Sequence, residues 1–180
     1  DCSDKVDHIL EACTICVIPI LNPDGAKLYT RFNAKGVDLN RDAQELSQPE
    51  SRVLFDVFKR FEADFCYNLH GQRTIFSAGA CDSSATLSFL SPAQDQERTI
   101  TVNRQKAMEV IAVMNAGLQK EIPNQVGVYD DGFNINCVGD AFQKAGVPTI
   151  LFEAGHFSGD YNREYVRELL FKSLLISLDY

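Results

Sequence analysis

Three places in this chain set a reactive side chain where its surroundings would tune it. Glu153 closes the uncharged run Val147-Pro148-Thr149-Ile150-Leu151-Phe152. A carboxylate at the end of such a run is poorly solvated, so its pKa should rise, and that is how a general base is tuned. His70 follows Phe65-Cys66-Tyr67-Asn68-Leu69 and precedes Gly71, which lets backbone or ligand come close. The third place is the stretch Arg31-Phe32-Asn33-Ala34-Lys35-Gly36-Val37-Asp38-Leu39-Asn40-Arg41, with two arginines and two asparagines. Arginine binds carboxylates through a bidentate fork and asparagine adds a donor, so the stretch suits an anion. Taken one at a time, each has a plainer reading: a salt-bridged strand end, a satisfied core histidine, a solvated loop.

Two other spacings imitate metal sites. Cys13 and Cys16 have the separation of half a zinc knuckle, but on a strand residues three apart point to opposite faces. His8 and Glu11 have the separation of a ligand pair, but they fall in the lead-in to the first strand.

The elements that must position these groups follow from apolar periodicity. Cys13 to Leu21 reads as a buried strand, ended by the turn signal Asn22-Pro23-Asp24-Gly25. A polar loop leads to Ser47-Gln48-Pro49-Glu50, which resembles a capping box, and a helix with Leu54, Val57, Phe58 and Phe61 on one face. Further strands are expected over 65–69, 74–78, 85–90 and 147–152, and helices over 102–121, 139–145 and 163–178. Strands alternating with helices predict an α/β fold: a mixed, largely parallel central sheet flanked by helices. In such sheets function gathers just past the C-terminal ends of strands, where the Asn22 loop, His70 and Glu153 fall.

Composition narrows the function. At 180 residues, 45% hydrophobic and 23% charged, the chain has the balance of one globular domain. A net charge of -8 argues against a nucleic-acid partner. No apolar run reaches the roughly 20 residues of a membrane helix. The six cysteines read mostly as buried free thiols, which points to a reducing, cytoplasmic setting.

Taken together, Asn22-Pro23-Asp24-Gly25, Arg31, Gly36-Val37-Asp38-Leu39-Asn40-Arg41-Asp42, Asn68-Leu69-His70-Gly71 and Phe152-Glu153-Ala154-Gly155 resemble the signature of the zinc metallocarboxypeptidases. The resemblance implies one catalytic domain over residues 1–180, corresponding to the C-terminal two-thirds of that family's domain. It implies that His70 binds Zn²⁺ and that Glu153 takes a proton from a zinc-bound water and passes it to the leaving amine. Arg31 would stabilise the oxyanion. Asn40 and Arg41 would hold the terminal carboxylate of a peptide with a free C-terminus. Tyr129 is the candidate for the family's mobile tyrosine, with Phe133 as the alternative.

The family's opening His-x-x-Glu zinc pair belongs upstream of the Asn-Pro-Asp-Gly turn. Two ligands are therefore expected from outside this chain, and the sheet is expected to lack a central strand. A missing N-terminal segment of the same protein is the expected partner. The rival readings are a zinc amidase or deacylase of N-acyl amino acids, which shares the Asp-Leu-Asn-Arg element, and a non-catalytic remnant.

Overall fold

Cys66–Gly71 (β1) and Thr149–Ala154 (β4) lie side by side in parallel in the computed structural model, which describes residues 6–180. The β4 run Thr149-Ile150-Leu151-Phe152 is rich in β-branched and apolar residues, which suits a strand covered on both faces, while β1 mixes Tyr67 and Leu69 with Asn68 and His70. Leu87–Leu90 (β2) pairs antiparallel with the other edge of β4, and Val126–Val128 (β3) pairs parallel with β2. The sheet order is β1-β4-β2-β3, so the mixed α/β architecture expected from the sequence is present, with β1 at one edge.

Two helical layers cover this sheet. On one face Leu87, Phe89, Ile150 and Phe152 pack against Val102–Leu118 (α4) and Glu164–Asp179 (α6), through Ala107, Met114, Leu118, Val166 and Leu169. On the other face, Pro49–Phe61 (α3) and Val138–Lys144 (α5) close a smaller cluster, in which the rings of Phe58 and Phe142 stack 3.9 Å apart. Burying a side chain of this size stabilises by about 1.5–3 kcal/mol. The helix starts are set locally. Thr101 Oγ1 accepts from the Arg104 amide at α4, and the Asp160 carboxylate accepts from the Glu164 and Val166 amides at α6.

Several local expectations are corrected. Cys13–Leu21 forms no strand: residues 14–20 have no regular secondary structure and are exposed, and they make no backbone hydrogen bond among the described residues. Residues 74–78 form no strand either, only an isolated bridge between Ser77 and Ser84. The Asn-Pro-Asp-Gly signal opens a helix, Pro23–Leu28 (α2), with Asn22 Oδ1 accepting from the Gly25 amide at 2.9 Å and Pro23 in the first turn. No capping box forms at α3. Instead Asp42 accepts from the Ser47 and Gln48 amides and the Ser47 hydroxyl, so Ser47 is a donor there. His8 and Glu11 lie on a short helix, Asp7–Ala12 (α1), where His8 pairs with Asp179 at 2.5 Å. Of the cysteines, Cys16 and Cys81 are exposed while Cys13, Cys66 and Cys137 are half-buried, all as free thiols; Cys2 lies outside the described residues.

Candidate active site

Parallel pairing puts His70 directly opposite Glu153. Both sit one residue before the end of their strands. Tyr67 and Phe152 meet on the α4–α6 face of the sheet, 5.2 Å apart, so the strand alternation turns His70 and Glu153 to the opposite face. Just beyond them, Gly155 donates its amide to Thr86 at 2.9 Å. A Cβ on Gly155 would lie 2.0 Å from the Ala85 carbonyl oxygen, so the strand end can approach β2 only with glycine there.

The charges around this pair are ordered by the loop before α3. Arg31 donates Nε to Asp38 Oδ2 at 2.6 Å, and Asp38 Oδ1 accepts the Asn40 amide at 3.0 Å. Asp38 thus caps the 3₁₀ turn Leu39–Arg41 and ties Arg31 to it. Buried Asn33 organises the turn before it. Its Oδ1 accepts from the Lys35 and Val37 amides, and its Nδ2 donates to Gln48 Oε1 at 3.0 Å. Gly36 takes φ +74 there, a left-handed conformation that glycine adopts without strain. Asn40 reaches across the molecule: Val138 in the first turn of α5 donates its amide to Asn40 Oδ1 at 3.1 Å. That bond fixes the amide orientation and leaves Nδ2 as a free donor.

Electrostatics bear on both sheet residues. Burial pushes the His70 imidazole below its ordinary value, and Arg31 and Arg41 push it the same way, so it is neutral at pH 7. Its Nε2 is buried and has no hydrogen-bond partner. Burial raises the Glu153 carboxyl, with Arg31 working against the rise. The structure therefore brings His70, Glu153, Arg31, Asn40 and Arg41 to one end of the sheet.

Tyr129 follows β3, packs edge-on against Phe76 at 6.4 Å, and shares a cavity of about 640 Å³ with Arg104 and Asp131. Phe133 lies under the Lys144 ammonium, 5.7 Å from it. The residue that the sequence reading passed over is Asp38; its signal is an opposite charge to Arg31 within one loop. His70, Arg31, Asp38 and Asn40 also line one end of a cavity of about 650 Å³ that runs between β1 and residues 15–21.

The family model described as zinc carboxypeptidase matches residues 2–136. The chain belongs to the zinc carboxypeptidase family. Its curated relatives match over a short stretch. It is 34% identical over 62 residues to probable carboxypeptidase 2 of Arthroderma benhamiae, covering 34% of this chain and 12% of that protein. It is 32% identical over 62 residues to carboxypeptidase 2 of Trichophyton rubrum, with the same coverage. Among solved structures it resembles a putative carboxypeptidase A from Shewanella denitrificans OS-217, with a TM-score of 0.63 at 17% identity. That match covers 90% of this chain and 45% of the other. The likeness is one of fold. This chain spans less than half the length of that carboxypeptidase and a smaller part of the fungal ones.

The metal in the family's name finds one fitting group in this chain. A neutral imidazole with a buried, unpartnered Nε2 is the donor such an ion takes. Among the described residues, no three His, Cys, Asp or Glu side chains cluster to hold an ion.

Proposed function

We propose that these residues form the catalytic part of a zinc-dependent metallocarboxypeptidase, a hydrolase that removes the C-terminal residue of a peptide. The observation that supports this best is His70 set in register beside Glu153, with an orphaned Nε2 on one and a burial-raised carboxyl on the other. His70 would hold the zinc through Nε2, with two further ligands from polypeptide outside this chain. Zinc, when bound, supplies a Lewis acid for the scissile carbonyl and makes hydroxide accessible at neutral pH.

The chain's own residues do the rest. Glu153 accepts one proton from the attacking water as its oxygen bonds to the carbonyl carbon. It then delivers that proton to the amide nitrogen as the C–N bond breaks, so the products are a carboxylic acid and an amine, which at neutral pH stand as carboxylate and ammonium after the acid's proton passes to the amine. Arg31, aligned by Asp38, offers its remaining N–H groups to the oxyanion. Asn40 Nδ2 and Arg41 receive the substrate's terminal carboxylate, which makes the reaction an exopeptidase cleavage. Tyr129 takes no part in this reading.

The test is Glu153→Gln in the whole protein. Release of a free C-terminal amino acid should fall by at least about 10²-fold, the scale of losing a positioned general base, while zinc content is unchanged. Undiminished cleavage by the variant refutes the assignment.

A further inference from the structure

The carbonyl of Ala154, one residue past Glu153, is a junction. It accepts the Gln72 amide at 2.9 Å and the Arg163 guanidinium, through Nη2, at 2.5 Å. Arg73 follows Gln72 directly, and its own carbonyl accepts from His156 Nε2 at 3.2 Å. Two arginines from distant parts of the chain are thus anchored at one place, where β1 and β4 run out just beyond the His70–Glu153 rung.

Among the described residues neither arginine has a carboxylate partner. The acids that flank Arg163 in sequence are engaged elsewhere: Asp160 turns its carboxylate to the amides of Glu164 and Val166, and Glu164 pairs with Arg167. The pair also stands apart from the first clamp. The charges that shift His70 and Glu153 are Arg31, Arg41 and Asp38, and not Arg73 or Arg163. The clamp leans toward α5 through the bond between Asn40 and Val138, whereas this pair lies past the strand ends.

Arg163 holds its place against its backbone. It takes φ +61, in the left-handed region, at the start of α6, and its side chain makes no capping bond there. Glycine adopts that conformation freely and a residue with a β-carbon does not, so the position carries a guanidinium where the backbone favours none. Strain of this kind gathers at functional sites. Arg163 is half-buried and Arg73 exposed, so their free N–H groups remain open to a ligand, and a guanidinium fork matches a carboxylate.

We infer that Arg73 and Arg163 form a second anion subsite, which takes an acidic side chain of the peptide just upstream of the bond that is cut. The inference rests on the peptidase reading and narrows it: the substrates are peptides with Glu or Asp among the two residues before the scissile bond. The reach agrees. With its terminal carboxylate on Asn40 and Arg41, the peptide leads across Glu153 and outward past Ala154. An extended chain advances about 3.3 Å per residue, so one or two residues bring it to the arginines.

The test uses the whole zinc-loaded protein and two N-acylated peptides that differ only upstream of the C-terminal residue, with Glu-Glu in one and Gln-Gln in the other. kcat/KM is expected to be higher for the Glu-Glu peptide by about tenfold or more, and the ratio to shrink as salt is raised, because exposed charges are screened. Arg73→Gln combined with Arg163→Gly should bring the ratio to within about twofold of one. Glycine suits the backbone at 163, and Ala154 keeps the Gln72 amide, so this variant is expected to fold. The ratio is the readout, since a general loss of structure lowers both rates together. Arg73→Gln alone, at an exposed position, should lower the ratio about threefold and serves if the double variant does not fold. A ratio near one in the unaltered protein, or one that survives these substitutions, overturns the inference and leaves the peptidase standing. If neither peptide is cut, the peptidase reading fails, and binding of the same peptides carrying a fluorophore is measured by anisotropy. A Glu-Glu preference that the substitutions abolish then keeps the subsite; equal binding, or none, overturns it.

Discussion

Asn40 and Val138 are 98 residues apart in the chain and joined by one hydrogen bond, from the Val138 amide to Asn40 Oδ1 at 3.1 Å. The same side chain therefore caps the start of α5 and, through Nδ2, keeps a donor for the candidate carboxylate site. Asn40→Asp and Asn40→Ala separate these roles. Aspartate keeps an acceptor for the Val138 amide and suits the positive end of α5, so thermal stability should be unchanged or slightly raised. It removes the donor and adds a repelling charge, so in the whole enzyme KM for a free-carboxylate peptide should rise by tenfold or more. Alanine should lower stability by about 1 kcal/mol, the ordinary cost of losing such a cap, as measured by chemical denaturation.

Arg104 is the most buried charge among the described residues, at 2% exposure. It donates to Asp131 Oδ2 at 2.8 Å and to the carbonyls of Ser91 and Arg98. Arg104→Met keeps the volume, but leaves those carbonyls unsatisfied and Asp131 with only Arg98 as its partner. A loss of about 2–4 kcal/mol is expected, below the full cost of a broken buried pair because Asp131 is partly exposed. Asp131→Asn alone should cost less, and a double-mutant cycle should show coupling above about 0.5 kcal/mol. Additive losses refute the pairing.

Cys66 gives a pH dependence of known sign. Burial pushes its thiol up to about 11 from an ordinary value of 9.0. Between those values the unfolded chain releases the proton that the folded chain retains, so stability should fall as pH rises from 9 toward 11. Below 9 the group contributes no slope. Cys66→Ala should flatten this part of the stability profile, as read from denaturation midpoints. In the folded 180-residue chain, alkylation of Cys66 should keep accelerating past pH 9, where an ordinary thiol has levelled off. A plateau at pH 9 contradicts the burial described.

The parts of the fold that were legible in the sequence are those whose neighbours are in the sequence too. Thr149–Ala154 and Cys66–Gly71 read as strands from their apolar residues, and each finds a partner in the other. Cys13–Leu21 carries the same signal and fails, because composition reports what a segment would bury, not whether anything is present to bury it against. The helix at Pro23 was misread because Asn and Pro start helices as well as turns; the deciding contact, Asn22 to the Gly25 amide, is a matter of rotamer. At the site, His70, Glu153 and the arginine loop were readable from strand-end position and charge. The tie between Asp38 and Arg31 was not, since opposite charges seven residues apart in a loop carry no preferred geometry. Tyr129 depended on register alone, and the structure sets it beside Arg104 and Asp131.

The run Cys13-Thr14-Ile15-Cys16-Val17-Ile18-Pro19-Ile20-Leu21 contains no charged residue, and Pro19 is its one interruption. Left open, it has the makeup of a nucleus for self-association, with no gatekeeping lysine or glutamate inside it. Held in isolation, these residues are a natural client for chaperones that bind bare hydrophobic stretches. Their yield on expression is then governed by how quickly that stretch is covered, well before any question of turnover arises.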